Sequence, residues 1–194
     1  MDVLAIKEFI SIYQYAVFSQ VRAIYDSLVP DESDFGEILV KYKMEEMERN
    51  DTKGIFVELL GNSNLVDVIQ VLPHFRFIMP LYVEERFVLF GSDDSYNFDI
   101  GVDLVNRKVI LFDDIEGEYT YIADSEIGFL SYLRIYLEYT IIPNEITNDF
   151  GVNKMFKEKV IAAVGGNEYA DYYRFVFPTH REPESTLIEL PFKL

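Results

Sequence analysis

The spacing of the apolar residues changes twice along this chain, and this change constrains the fold more than any other feature. Over residues 3–28 apolar side chains recur at steps of three and four, the period of an amphipathic helix, and Pro30 ends the pattern. From residue 55 to residue 122 the apolar runs are short, and over 98–104 they alternate with polar residues as half-buried strands do. A helical period then returns. This order of helix, strands and helices predicts an α+β fold.

The strand-like runs predict one mainly antiparallel sheet of about six strands. Asn106-Arg107 fits a two-residue hairpin turn, which would place Val105 opposite Lys108. The candidate strands are 55–60, 66–72, 75–81, 86–91, 98–104, 109–113 and 119–122. The secondary structure of two further stretches is left open. Residues 37–49 fit either a helix or a short strand, and 185–190 is a candidate edge strand.

Two C-terminal helices are predicted to pack on the sheet together with the long N-terminal helix. The first is capped by Asp124 or Ser125 and ends before Pro143. The second follows three candidate caps and ends at Gly165-Gly166. Those caps are Thr147, Asn148 and Asp149. Because the chain has no linker, repeat or low-complexity tract, we expect residues 1–194 to form a single domain.

The composition indicates in which compartment the protein lies and which class of partner it binds. The chain has no Cys, which removes disulfides and cysteine chemistry and indicates a reducing compartment. Lys7-Glu8 interrupts the apolar N-terminal pattern, and no run approaches the ~18 apolar residues of a membrane-spanning helix, so we expect a cytoplasmic protein. The net charge of -17 disfavours nucleic acid and anionic membrane as partners and favours a basic protein.

The residue types that usually carry catalysis are scarce. Acid–base chemistry most often uses His, and the two here lie in a turn between candidate strands, His74, and in a Pro-flanked tail, His180. Both are expected to be loop or surface residues. Ser125 lies in no nucleophile elbow, and "AAVGGNE" lacks the Lys of a phosphate-binding loop. The sequence therefore predicts a protein that is not an enzyme and binds no cofactor.

Acidic residues concentrate in the predicted sheet. Segment 84–126 holds twelve acidic and three basic residues, a net charge of -9. With the two-residue turn, Asp99 would face Asp114 and several carboxylates would meet on one rim. Three interpretations stay open: a solvated rim, a site for a hard cation such as calcium, and a surface for the Lys and Arg of a protein partner. The candidate partner-binding residues are Asp93, Asp94, Asp113, Asp114, Glu116 and Glu118, with Tyr96 as an aromatic anchor.

Four short motifs follow one another between Val88 and Leu133. They are Gly91-Ser92-Asp93 in a loop, Val102-Asp103-Leu104 at a strand end, Lys108-Val109 on the return strand, and Ile122-Ala123-Asp124-Ser125 with Phe129-Leu130 at a helix entry. In this order they resemble the SUKH superfamily, which includes fungal cell-wall-assembly regulators and many bacterial immunity proteins. The resemblance implies a non-enzymatic α+β domain, often one that neutralises a toxin delivered by a neighbouring bacterium.

The resemblance also implies the chemistry of the partner. Many such toxins are nucleases, which are basic because they bind phosphate, and an acidic inhibitor can occupy the same surface. We therefore expect a bacterial immunity protein whose partner is a cognate basic toxin. Two alternatives stay open: a regulatory or scaffold module of the same superfamily, and a metal-binding carboxylate site.

Overall fold

The structure is a computed structural model that describes residues 3–25, 54–68, 70–72, 74–93, 97–147 and 149–174. Six α-helices, one short 3-10 helix at Asn167–Tyr169 and five strands are found in these residues. They are α1 Val3–Tyr25, α2 Ile55–Gly61, β1 Phe75–Val83, β2 Phe87–Asp93, β3 Phe98–Asp103, β4 Val109–Phe112, β5 Tyr119–Ala123, α3 Glu126–Thr140, α4 Asn144–Thr147, α5 Phe150–Val164 and α6 Ala170–Tyr173. The stretches predicted at 37–49 and 185–190 lie outside the described residues, as do Asp94, Tyr96 and His180.

The predicted α+β class is confirmed. The sheet has the order β1-β2-β3-β4-β5, and each strand is antiparallel to the next one in the chain. Within the described ranges it has five strands rather than about six. The difference arises in the first two strand-like runs, which form other structures.

The prediction of a strand at 55–60 is wrong, because this run forms helix α2. Its buried side chains Phe56, Leu59 and Leu60 follow a helical spacing, and the Phe56 ring stacks on Phe90 of β2 with centroids 4.0 Å apart. The run at 66–72 contains no strand in its described residues. The Gln70 side chain there donates hydrogen bonds to two carbonyls, Leu65 O at 3.0 Å and Val68 O at 3.2 Å.

Helices α1, α3 and α5 contribute to the main hydrophobic core on one face of the sheet. Phe9 of α1 packs on Phe77 of β1 with ring centroids 6.1 Å apart, and Phe129 of α3 packs on Phe75 at 5.9 Å.

The predicted caps are present: Ser125 Oγ accepts a hydrogen bond from Gly128 N at 3.1 Å. In the same way Asp149 caps α5, and Gly165 ends it with a φ of 114°. Among the described helices, none combines the length and apolarity needed to cross a bilayer.

The opposite face of the sheet carries a second, smaller apolar cluster made of sheet residues. Its buried members are Phe87, Leu89, Ile110 and Phe112. The sheet curls around this cluster, because the rings of Phe87 on β2 and Tyr119 on β5 have centroids only 4.9 Å apart although β3 and β4 lie between these strands. We call this surface the open face.

The β3–β4 hairpin differs from its prediction. Asp103 pairs with Lys108 through a 2.9 Å hydrogen bond from its N–H to Lys108 O, and the turn has four residues, 104–107, with Arg107 at a φ of 64°. The ladder ends early because the Asp103 carboxylate accepts a 2.9 Å bond from Val105 N and so closes the turn. The predicted pairing of Asp99 with Asp114 is therefore wrong, since Asp99 faces Phe112.

Candidate protein-binding surface

The three basic residues of segment 84–126 are paired at one end of the sheet. Arg86 Nη2 lies 2.8 Å from Asp103 Oδ2, and Lys108 Nζ lies 3.3 Å from Asp124 Oδ1. Arg107 forms an ion pair with Glu126. These residues belong to the β1–β2 turn, the β3–β4 turn and the entry to α3. The positive charge of this segment is therefore paired with local carboxylates.

The most enclosed of these carboxylates is Asp103, whose side chain is fully buried. It accepts hydrogen bonds from Arg86 Nη2 and, at 2.9 Å, from Tyr121 Oη. Burial by itself raises the pKa of Asp103, but the hydrogen bonds from Arg86, Val105 N and Tyr121, with the charge of Arg86, hold it below its usual value. The Arg86 guanidinium also lies over the Tyr119 ring, 5.0 Å from its centroid. This network fixes one end of the open face.

The second carboxylate, Glu126, joins separate parts of the fold. It accepts a 3.2 Å hydrogen bond from the backbone N–H of Phe56, at the start of α2, and pairs with Arg107 in the β3–β4 turn. Burial raises the pKa of Glu126, although the charge of Arg107 and the hydrogen bonds of α2 act in the opposite direction. Its contacts are internal, so its role is structural.

The acidic β4–β5 loop lies at the other end of the sheet, and we define it as residues 113–118. It is a closed turn, because Asp113 N donates to Glu118 O at 2.8 Å and Gly117 N donates to Asp113 O at 2.9 Å. The Asp113 carboxylate accepts from Ile115 N at 2.9 Å and from Glu116 N at 3.2 Å. Asp113 is therefore occupied in shaping the loop.

The remaining acids of this loop face solvent. Asp114, Glu116 and Glu118 are exposed, and within the described part of the chain none of them forms an ion pair. Ile115 lies among them and is 84% exposed. The loop thus presents carboxylates around one apolar side chain on a turn that hydrogen bonds hold in place.

Asp99 on β3 extends this negative surface onto the open face. It pairs with Ser92 and Phe112 in the sheet. The pKa of Asp99 is raised, first by partial burial and second by the negative charge of Asp114. The two carboxylates are therefore electrostatic neighbours, although the loop brings Asp114 there and the strand register does not.

Asp93 lies apart from this surface. Only 4% of it is exposed, and its Oδ2 accepts a 2.9 Å hydrogen bond from the Tyr172 hydroxyl on the helical side of the sheet. Burial, with nearby Tyr132 and Asp93, raises the pKa of Tyr172 well above its usual value, so the phenol stays protonated and donates. The structure thus brings Asp114, Glu116 and Glu118 together and separates Asp93 from them.

Two residues extend the set of candidate partner-binding residues that the concentration of acidic residues indicated. Ile115 has a sequence signal, because it is a lone apolar residue inside the acidic string "DDIEGE". Asp99 stands in the alternating pattern of β3, but its contribution depends on how the β4–β5 loop folds back. Neither position belongs to a motif of the resemblance.

The described residues offer little for other kinds of site. They contain no group of three or more His, Asp or Glu side chains that could hold a metal ion. A wide surface groove of about 590 Å³ lies between α1 and α3. Three of its four charged residues form ion pairs, since Arg134 contacts both Glu8 and Glu138. This groove therefore shows internal ion pairing and no catalytic grouping.

Comparisons of the chain with protein-family models, with curated proteins and with solved structures found no match. The fold is α+β, and its described residues form a five-stranded antiparallel meander with helices on one face. The resemblance to the SUKH superfamily remains a hypothesis that rests on the sequence motifs.

Proposed function

We propose that this chain is a non-enzymatic protein-binding domain, specifically an immunity protein that neutralises a basic bacterial toxin through the acidic β4–β5 loop. The observation that carries the proposal is the separation of charge along the sheet. Arg86, Arg107 and Lys108 are paired at one end, whereas Asp114 and Glu116 face solvent without an ion pair among the described residues. Such a surface suits Lys and Arg side chains.

Charge of this kind acts mainly on the rate of encounter. A concentrated negative patch steers a basic partner, raising the association rate by factors of about 10 to 1,000 at low ionic strength. Nuclease-type toxins are basic where they bind phosphate, so an acidic inhibitor competes with the nucleic acid for that surface. The neutralising act in this proposal is physical occlusion of the toxin and requires no cofactor.

An apolar contact would slow dissociation and so lengthen the lifetime of the complex. Binding energy concentrates in a few well-packed side chains, with charged rim residues contributing less. Ile115 is the apolar candidate, since it projects from the centre of the acidic loop on a hydrogen-bonded turn. A loop already fixed in shape also loses little conformational entropy on binding.

The test is an affinity capture from the native host with three baits. They are the wild-type chain, the loop variant Asp114→Lys/Glu116→Lys, and the control Glu158→Lys/Asp171→Lys, which makes the same change of charge at exposed positions on α5 and α6. Asp113 is left unchanged because it shapes the turn. Capture of a basic toxin by wild type and control, and its loss with the loop variant, would support the proposal.

Three results would count against the proposal in whole or in part. If all three baits capture the same toxin, the immunity function stands but the binding surface lies elsewhere. If wild type captures no toxin and no toxin gene neighbours the gene for this chain, the regulatory or scaffold alternative is favoured. Stoichiometric metal in the purified protein, lost on Asp114→Asn, would favour the metal alternative.

A further inference from the structure

Two strands that are not paired in the sheet are joined by their side chains at one corner of the open face. β2 and β5 are separated by β3 and β4, yet the ring of Phe87 on β2 contacts Tyr119 on β5, and its centroid lies 5.8 Å from that of Phe112. Arg86 Nη2 donates a 2.7 Å hydrogen bond to the Tyr119 hydroxyl and a 2.8 Å bond to Asp103 Oδ2. We call Arg86, Asp103 and Tyr119 the clasp.

The clasp crosses the sheet diagonally. Phe87 on β2 pairs with Asp103, the last residue of β3. Tyr119 pairs with Phe112, and Phe112 pairs with Asp99 near the start of β3. The twist of a sheet brings opposite corners towards each other in this way. Because backbone pairing joins only neighbouring strands, the closure of this corner depends on side chains.

The clasp closes over the apolar cluster of the open face. The four buried members of this cluster are at most 8% exposed, and the partly buried apolar residues packed on them also come from the sheet. The Arg86 guanidinium lies over the two rings that meet at the corner, 4.8 Å from the centroid of Phe87 and 5.0 Å from that of Tyr119. Burial of the cluster therefore depends on the curl that the clasp fastens.

Few bonds hold the clasp closed. Both side-chain hydrogen bonds of Arg86 use Nη2, and its Nε is buried without a hydrogen-bond partner among the described residues. Arg86 directly precedes Phe87, which pairs with Asp103, so the ion pair can persist when the corner opens. Opening then breaks the hydrogen bond to Tyr119 and the ring contacts. It leaves every backbone pair of the sheet intact.

We propose that the clasp is a conformational device that opens locally and exposes the apolar cluster while the rest of the fold stays intact. Local openings need less free energy than global unfolding where few contacts are broken. Tyr119 directly follows Glu118, so the newly exposed apolar surface would lie beside the acidic β4–β5 loop. The clasp consists of contacts within the chain, so its test does not depend on whether a toxin binds that loop.

The absence of Cys from the chain permits a direct measurement of this opening by thiol labelling. Leu89→Cys places a thiol on the open face, and Val88→Cys places one on the helical face of the same strand; the native side chains are 2% and 0% exposed. Labelling rates are measured in urea below the unfolding transition. Leu89→Cys is expected to react at a rate that urea hardly changes, whereas the rate for Val88→Cys should rise steeply with urea. Ile110→Cys and Leu111→Cys repeat the comparison on β4, so the test survives if one substitution prevents folding.

Two hydroxyl deletions on β5 test whether the clasp controls the opening. Tyr119→Phe removes the acceptor that Arg86 uses across the sheet, and it is expected to raise the labelling rate of Leu89→Cys at least about threefold. The matched control Tyr121→Phe removes a hydroxyl that bonds Asp103 but does not reach the β1–β2 turn, and it should change the rate less than about twofold. Equal effects of the two substitutions would overturn the proposal, as would the same steep urea dependence on both faces.

Discussion

The carboxylate of Glu126 in α3 accepts a hydrogen bond from the backbone N–H of Phe56 in α2, and these residues lie 70 positions apart in the chain. The first N–H groups of a helix have no acceptor within it, so a carboxylate at that point stabilises the helix start. The same carboxylate pairs with Arg107. A side chain from a distant element thus holds the segment that the local pattern alone assigns to a strand.

Replacing Glu126 with Ala is expected to cost about 1–3 kcal/mol of unfolding free energy, because it leaves buried N–H groups of α2 without an acceptor. Glu126→Gln keeps an acceptor oxygen and should lose less. Urea unfolding followed by circular dichroism measures both. Equal losses for Ala and Gln would show that the hydrogen bonds to α2 contribute nothing measurable.

The pH dependence of Asp99 gives a second prediction. Burial and the charge of Asp114 raise the folded pKa of Asp99 above its ordinary value of 3.8, so the folded state binds the proton more tightly than the unfolded state. Ionised Asp99 therefore costs stability at neutral pH, and the cost disappears as the pH falls through the folded pKa to below 3.8. Asp99→Asn should raise the melting temperature at neutral pH but not at low pH.

The companion variant for this prediction is Asp114→Asn. Removing that charge should lower the pKa of Asp99, as measured by NMR titration of its carboxyl carbon. An unchanged Asp99 pKa would show that the two carboxylates do not interact. If Asp99→Asn instead lowered the melting temperature at neutral pH, the claim that ionised Asp99 destabilises the fold would be wrong.

The β1–β2 turn offers a stabilising substitution. Glu84 and Glu85 both have positive φ, 52° and 57°, and Arg86 N donates to Val83 O at 3.1 Å, the arrangement of a type I′ turn. Asn and Gly are the residues that this turn favours. Glu84→Asn/Glu85→Gly should therefore raise the unfolding free energy by about 1 kcal/mol. A loss of stability in thermal unfolding would contradict this assignment of the turn.

Within the acidic loop, shape and charge are assigned to different residues. Asp113→Ala removes the acceptor for Ile115 N and Glu116 N, and it should cost about 1 kcal/mol of unfolding free energy. Asp114→Ala and Glu116→Ala remove exposed side chains and should change it by less than about 0.5 kcal/mol. Chemical unfolding of the three variants measures these changes. Equal changes in unfolding free energy would show that Asp113 shapes the loop no more than Asp114 and Glu116 do.

Local patterns in the sequence are sufficient to predict the long helices and most of the strands. The apolar period and the caps Ser125 and Asp149 are local features, so α3 and α5 appear where they are predicted. Helix α2 is too short to be separated from a strand by its period. Its contacts are tertiary: Phe56 N donates to Glu126 and the Phe56 ring stacks on Phe90, and only the folded chain brings these residues together.

Two irregularities explain the differences in the predicted site. The register between β2 and β3 shifts between Leu89 and Gly91, so strict alternation fails there and Asp93 lies on the helical side. Gly91 is needed at this point, because a Cβ there would lie 2.5 Å from the Phe75 ring. In the β3–β4 turn, the buried carboxylate of Asp103 accepts a hydrogen bond from Val105 N, and the ladder therefore ends early. A one-residue change of alternation is not visible in hydrophobic patterning alone.

The most direct test of the central claim is the association rate between the captured toxin and three chains, measured by stopped flow at low and high salt. The chains are wild type, Asp114→Lys/Glu116→Lys and the control Glu158→Lys/Asp171→Lys. We predict that the loop variant associates at least tenfold more slowly than both others at low salt, and that the difference shrinks as salt rises. Equal rates for the loop variant and the control would contradict the assignment of the acidic loop as the binding surface.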